Sequence, residues 1–77
     1  SMTKKFIAQQ GSKGTVKVFD ASTGNLYKII NVGGDVVSQP IVTESEMSVT
    51  VKSGDVNFLK TFNLPSGGLK NSVTLSN

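Results

Sequence analysis

Short stretches in which apolar, often β-branched residues alternate with polar ones constrain this chain most. Met47, Val49 and Val51 form one such stretch, and glycine-containing turns separate it from the next. Alternation with a period of two is typical of a strand with one buried face, and no window has the three-and-four spacing of an amphipathic helix. We therefore expect an all-β protein with a single domain over residues 1–77.

The turn signals divide the chain into a series of predicted strands. Residues 11–14 contain two glycines, and residues 20–25 contain aspartate, glycine and asparagine, which favour tight turns. Pro40 removes a backbone donor, so its strand is predicted to lie at an edge or to bend. The predicted strands cover residues 5–10, 15–20, 26–32, 36–42, 47–52, 56–64 and 69–75.

The strand over residues 26–32 is apolar on both faces. Leu26, Ile30 and Val32 alternate one way, and Tyr27 and Ile29 alternate the other way. A chain of 77 residues buries only roughly 60% of its unfolded surface. It has no cysteine or histidine, so neither a disulfide nor a soft-ligand zinc site can add stability. We expect a homo-oligomer with Tyr27 and Ile29 at the subunit interface.

The sequence carries no recognisable catalytic or metal-binding pattern. General acid–base and nucleophilic catalysis most often use histidine or cysteine, and the chain has neither. Its carboxylates lie at predicted turns, and neighbours such as Ser12 and Lys13 are interpreted as solvated turn residues. We predict no enzymatic activity, no catalytic residue, no metal site and no small-molecule cofactor.

Charge and hydropathy limit the expected partners. The formal net charge is +3, from eight lysines and no arginine against five acids. Phosphate recognition often uses the arginine fork, so this composition favours nucleic-acid binding only weakly. No apolar run approaches the roughly 20 residues that span a bilayer, so we expect a soluble protein without a membrane partner.

The chain also resembles itself at a spacing of 43 residues. A strand, a glycine-containing turn and a second strand occur twice, which predicts either a true repeat or two hairpins with the same turn chemistry. Periods of about 40 to 45 residues are typical of propeller blades. The matching positions are Lys17 and Lys60, Phe19 and Phe62, Gly24 and Gly67, Leu26 and Leu69, Ile30 and Val73, and Val32 and Leu75.

Two segments resemble the motifs of Sm-like proteins. VFDASTGNL at residues 18–26 is similar to their opening motif, with one extra residue in the turn, and VKSGDV at residues 51–56 is similar to their closing motif. The resemblance covers residues 5–64 and is to the short Sm-like proteins of bacteriophages, cyanophages among them. It implies a small, bent antiparallel barrel of Sm-like (SH3-like) type with an extra C-terminal hairpin.

This resemblance also implies a function and a location. The first implication is a ring-forming structural or assembly protein of viral origin, found in the host-cell cytoplasm or the virion. The alternative is an RNA-binding ring whose two loops hold RNA through Asp20, Asn25, Lys52, Gly54 and Asp55. A rival likeness exists, because residues 34–75, with VVSQPIV and FNLPSGG, are similar to a blade of quinoprotein-type β-propellers. It implies a blade-like sheet as the alternative fold.

Overall fold

A computed structural model describes residues 5–75, and residues 1–4 and 76–77 of the predicted domain lie outside the described part. The described residues contain strands and no helix, which confirms the all-β prediction. Residues 5–75 accordingly include no helix that is long and apolar enough to cross a membrane. The strands are β1 (Phe6–Gln10), β2 (Thr15–Asp20), β3 (Leu26–Asn31), β4 (Asp35–Val36), β5 (Ile41–Val42), β6 (Glu46–Ser53), β7 (Val56–Asn63) and β8 (Leu69–Leu75).

The strands form two antiparallel sheets. The first sheet has the order β1-β2-β3, and the second has the order β4-β6-β7-β8 with β5 also paired to β6. The sheets do not close into the predicted bent barrel, because the chain leaves the first sheet after β3 and joins the edge of the second. Gly34 is required at this crossing, since a Cβ there would lie 2.6 Å from the carbonyl oxygen of Lys52.

The core is one apolar layer between the two sheets. The face of each sheet that is turned towards the other sheet is its inner face, and the opposite one is its outer face. The buried hydrophobic side chains form a single cluster, which consists of Phe6, Ala8, Val16, Val18, Ile30, Val32, Met47, Val49, Val51, Phe62 and Leu64. Alternation along each strand therefore places every second residue of the central strands in this layer.

The predicted strand over residues 36–42 consists of two short pieces, β4 and β5. Both pair with β6 at the edge of the second sheet, which confirms an edge position. Between them, the backbone N–H of Thr50 donates to the hydroxyl of Ser38 at 2.9 Å instead of to a backbone carbonyl. A side chain thus replaces a ladder hydrogen bond just before Pro40 interrupts the strand.

A β-bulge changes the predicted phase of β3. The register shifts between Val18 and Phe19, so that Phe19 pairs with Leu26 and Tyr27 is the extra residue. Leu26 therefore lies on the outer face and is 51% exposed, which makes its predicted location beside Ile30 wrong. The ring of Tyr27 contacts the ring of Phe6, with the centroids 5.1 Å apart.

The hairpins β2–β3 and β7–β8 have the same pairing at a spacing of 43 residues. Lys17 pairs with Ile29, and the matching Lys60 pairs with Ser72. In the second hairpin the register shifts between Thr61 and Phe62, which is the same point as in the first. The strand, turn and strand predicted to occur twice are therefore present twice, with one bulge each.

The turns of the two hairpins are also built alike. The N–H of Gly24 donates to the carbonyl of Asp20 at 2.7 Å, and the N–H of Gly67 donates to the carbonyl of Asn63 at 2.7 Å. Both glycines have positive φ, 78° and 83°, a conformation that glycine adopts at little cost. The two hairpins therefore match in register, bulge and turn.

The inner layer predicts unequal effects at two residues that pair with the matching phenylalanines, Phe62 and Phe19. Met47 pairs with Phe62 and is fully buried, whereas Ile7 pairs with Phe19 and is 56% exposed. We expect Met47→Ala to lower the free energy of unfolding by about 2–5 kcal/mol, because it leaves a cavity. Ile7→Ala should change it by about 0.5 kcal/mol or less. Urea denaturation at low protein concentration tests this difference, and equal losses would contradict the placement of the core.

Candidate assembly surface

The outer face of the first sheet carries a row of apolar side chains across all three strands. Ile7 pairs with Phe19, and Phe19 pairs with Leu26, so the three lie side by side. In the next row, Ile29 lies opposite Lys17. Ile7, Leu26 and Ile29 are each more than half exposed. This face, named here the first outer face, is an uncovered apolar surface with a lysine at its centre.

The outer face of the second sheet has a smaller apolar centre. Leu59 and Val73 pair across β7 and β8, and they are 39% and 45% exposed. Beside them, the hydroxyls of Ser48 and Thr61 share a hydrogen bond of 3.0 Å. This face, named here the second outer face, therefore joins an apolar pair to hydroxyl groups that are already bonded to each other.

Matching positions of the two hairpins face opposite environments. Val16 and Ile30 form a buried cross-strand pair, and the matching pair, Leu59 and Val73, is exposed. Conversely, Phe62 is buried although the matching Phe19 lies on the first outer face. The two hairpins are thus stacked in the same orientation. The side of the first hairpin that carries Val16 packs against the side of the second hairpin that is not equivalent to it.

Lys60 lies on the inner face of the second sheet. It pairs with Val49 on the same side as Phe58 and Phe62, and the bulge of this hairpin does not move it outwards. Its ammonium group donates to the carbonyl of Val32 at 2.8 Å, which links β7 to the end of the first sheet. The charged ammonium of Lys60 thus provides a hydrogen-bond donor for the carbonyl of the buried Val32.

The matching lysine of the first hairpin, Lys17, lies on the first outer face. It is exposed. Because the two hairpins match, Lys17 holds the position on the first sheet that Lys60 holds on the second. Lys60 contacts the other sheet of the same chain, whereas no sheet formed by residues 5–75 covers Lys17.

Two sheet edges are formed by β3 and β8. Each of these strands ends the order of its sheet within the described residues. Residues 69–74 of β8 are exposed, and Leu69 and Val73 are the large apolar side chains among them. Of the predicted interface residues, Ile29 is 53% exposed on the first outer face, and Tyr27 is 40% exposed at the bulge. Both therefore lie at the surface of the β3 edge.

The candidate RNA residues Asp20 and Asn25 belong to the β2–β3 turn. The carboxylate of Asp20 accepts from both the N–H and the hydroxyl of Ser22, at 2.9 and 2.6 Å. The N–H of Asn25 donates to the hydroxyl of Thr23 at 3.1 Å. Such bonds between a side chain and the backbone two residues away stabilise the turn itself.

The other candidate RNA residues, Lys52, Gly54 and Asp55, belong to the exposed β6–β7 turn. Ser53 pairs with Val56, which leaves a two-residue loop of Gly54 and Asp55. Gly54 has φ of 61° and Asp55 does not have positive φ, a combination that fits a type II′ turn. The hairpin geometry therefore accounts for the Gly-Asp pair.

The two candidate loops lie at opposite ends of the sheets. A Cβ at Gly34 would lie 2.6 Å from the carbonyl oxygen of Lys52, and a Cβ at Gly14, the residue just before β2, would lie 3.6 Å from the carbonyl oxygen of Gly34, so these three residues are close together. Asp20 is at the other end of β2, six residues beyond Gly14 and therefore roughly 20 Å further along at about 3.3 Å per residue. Within one chain, the structure therefore does not bring Asp20 and Asn25 to Lys52, Gly54 and Asp55.

One small cavity lies where β1 meets the segment after β5. Its volume is about 200 Å³, and its lining is Lys5, Phe6, Val42, Thr43 and Glu44. Typical small-molecule sites occupy roughly 300–1,000 Å³, so this cavity is smaller than they are. Aspartate and glutamate can ligate metal ions. Among residues 5–75, no three of these side chains are close enough to form a metal site.

Comparisons with protein-family models, with curated proteins and with solved structures found no match for this chain.

Sequence reasoning identified Ile29 and missed the rest of the outer faces. Phe19 was noted as a repeated position and as part of the Sm-like opening motif, and Leu26 was assigned to the face of Ile30, because the bulge that turns Leu26 outwards leaves no simple sequence signal. Leu59 was not matched with Val16, since the 43-residue comparison was anchored on identical residues. Matching by hydropathy at that spacing would have indicated the pair of Leu59 and Val73.

The two lysines give a matched test of the interior contact. We expect Lys60→Met to lower the free energy of unfolding by about 1–2 kcal/mol, because the carbonyl of Val32 loses a charged donor while the apolar stem is kept. Lys17→Met, at the matching exposed position, should leave the stability of a single chain nearly unchanged. Thermal and urea denaturation of dilute protein measure both, and a larger loss from Lys17→Met would contradict the assignment.

Proposed function

We propose that this chain is a non-enzymatic structural module that associates with copies of itself through the first outer face. The observation that carries the proposal is the row of Ile7, Phe19 and Leu26 on an uncovered sheet face. The equivalent row on the second sheet is Met47, Phe62 and Leu69, because Phe62 pairs with the other two. In that row, Met47 and Phe62 are buried against the other sheet. The same kind of surface is thus covered in one sheet and uncovered in the other.

The energetics support association over isolation. Completing the burial of a half-exposed isoleucine or leucine contributes about 1 kcal/mol, as half of the value for a whole side chain. Ile7, Leu26 and Ile29 each offer such a gain. Lys17 is the charged residue in the middle of this face, and its long apolar stem can pack while the ammonium finds an acceptor. Association through this face therefore adds apolar burial to a chain with only one core layer.

Two alternative folds are compatible with this self-association. One is a ring of Sm-like type and of bacteriophage origin, as the motifs at residues 18–26 and 51–56 imply. The other is a blade-like arrangement. Its support is the sequential order of β4, β6, β7 and β8 and the packing of one face of each sheet into a shared core. The second version agrees better with sheets that remain open, and we favour it.

A lysine on the first outer face should prevent self-association. We expect Ile29→Lys to shift the protein to monomer at concentrations where the unchanged chain is oligomeric, because it places a second ammonium opposite Lys17. The control is Ala21→Lys, which adds the same charge to the exposed β2–β3 turn. Sedimentation velocity over a range of concentrations measures the mass. A fully monomeric unchanged chain, or an Ile29→Lys variant with the same mass as the control, would contradict the proposal.

An RNA-binding ring is the alternative, and the exposed Asn25 and Lys52 and the net charge of +3 favour it. Against it, the turn offers Ser22 and Thr23 where base stacking calls for an aromatic or planar cationic side chain. Our proposal predicts no retention of uridine-rich or adenine-rich single strands in filter binding at low ionic strength. Salt-dependent binding that is lost in Lys52→Ala would instead favour the RNA-binding ring.

A further inference from the structure

We propose that the copies associate head to tail, with the first outer face of one copy packed on the second outer face of the next. This inference rests on the proposed self-association and names the surface that the first outer face binds. Its starting point is the way in which the two sheets already pack inside one chain. The contact between copies would repeat that internal packing.

The internal packing joins two different faces of the same repeated hairpin. The buried pair of Val16 and Ile30 belongs to one face, and the buried Phe62 belongs to the opposite face of the matching hairpin. The faces left uncovered are then the complementary ones, with Phe19 on the first sheet and the pair of Leu59 and Val73 on the second. A second copy can therefore make the same type of contact that the chain makes with itself.

The hydrogen bond of Lys60 also has an equivalent between copies. Inside the chain, the ammonium of Lys60 donates to the carbonyl of Val32. Lys17 matches Lys60, and Leu75, the last residue of β8, matches Val32 at the same spacing. Between copies, Lys17 would thus donate to the carbonyl of Leu75 of the neighbouring copy. This acceptor gives the central lysine of the first outer face a partner.

Charge disfavours a symmetric pairing of two first outer faces. In such a dimer the same patch meets itself, so the central Lys17 of one copy would approach Lys17 of the other. Like charges facing each other across an interface are unfavourable. The centre of the second outer face instead presents apolar and hydroxyl side chains, namely Leu59, Val73, Ser48 and Thr61. The charged side chains of β6 on this face, Glu46 and Lys52, lie near the two ends of the strand.

The contact between copies should be weaker than the contact inside the chain. Gln9 lies opposite Lys17 on the first outer face, where Val49 lies opposite Lys60 in the interior. A polar residue thus replaces a buried valine. We therefore expect association that depends on protein concentration. Because each copy carries one face of each kind, the assembly either closes into a ring or continues as a filament.

Two blocked variants test the direction of packing. Ile29→Lys blocks the first outer face, and Val73→Lys blocks the second, where Val73 is 45% exposed. Sedimentation velocity should find each variant alone as a monomer at concentrations where the unchanged chain is oligomeric. An equimolar mixture should form a complex with twice the monomer mass and nothing larger, because each variant keeps the face that the other lacks. The control variant, Ala21→Lys, should sediment with the same oligomeric mass as the unchanged protein.

Other results would separate the two proposals. If Val73→Lys assembles like the unchanged chain, head-to-tail packing is overturned while self-association through the first outer face stands. If the variants are folded by circular dichroism but their mixture remains monomeric, head-to-tail packing is also overturned. Leu59→Lys, at the residue paired with Val73, serves as the second blocked variant if Val73→Lys does not fold. A monomeric unchanged chain at every concentration would overturn self-association itself.

Discussion

The packing of the first sheet against the second provides the single apolar cluster of residues 5–75. The chain has 77 residues and no cysteine, so this layer acts without a disulfide. Apolar burial is the dominant favourable term in folding, and small domains have little of it. The strand order, the crossing at Gly34 and the interior contact of Lys60 all serve to bring these two faces together.

The repeated hairpin explains why the same layer leaves two surfaces uncovered. A hairpin has two faces, and stacking two equivalent hairpins in the same sense covers one face of each. The remaining faces are equivalent to the covered ones, as the buried pair of Val16 and Ile30 and the exposed pair of Leu59 and Val73 illustrate. In the head-to-tail association that we propose, a further copy of the chain would supply the missing neighbour on each side.

Local features were predictable from the sequence, and relations between sheets were not. The turn signals predicted β2 and β8 with the bounds that the structure has, since each strand begins directly after a turn that ends in glycine. The phase of Leu26 was wrong because a bulge depends on how two strands pair and not on one strand alone. The prediction of a bent barrel was wrong as well. Alternation along a strand indicates which of its side chains are buried but not which sheet the strand joins. Among the candidate site residues, Ile29 was placed at an exposed position by its alternation, whereas the Gly-Asp pair at residues 54 and 55 suited both a loop motif and a plain hairpin turn.

The most direct test of stacking between equivalent faces is an isotope-filtered nuclear Overhauser measurement on a mixture of labelled and unlabelled chains, at a concentration where the protein is oligomeric. The account predicts contacts between the ring protons of Phe19 in one copy and the methyl groups of Leu59 and Val73 in another. Contacts between Phe19 and Ile29 of two different copies, with none to Leu59 or Val73, would contradict it.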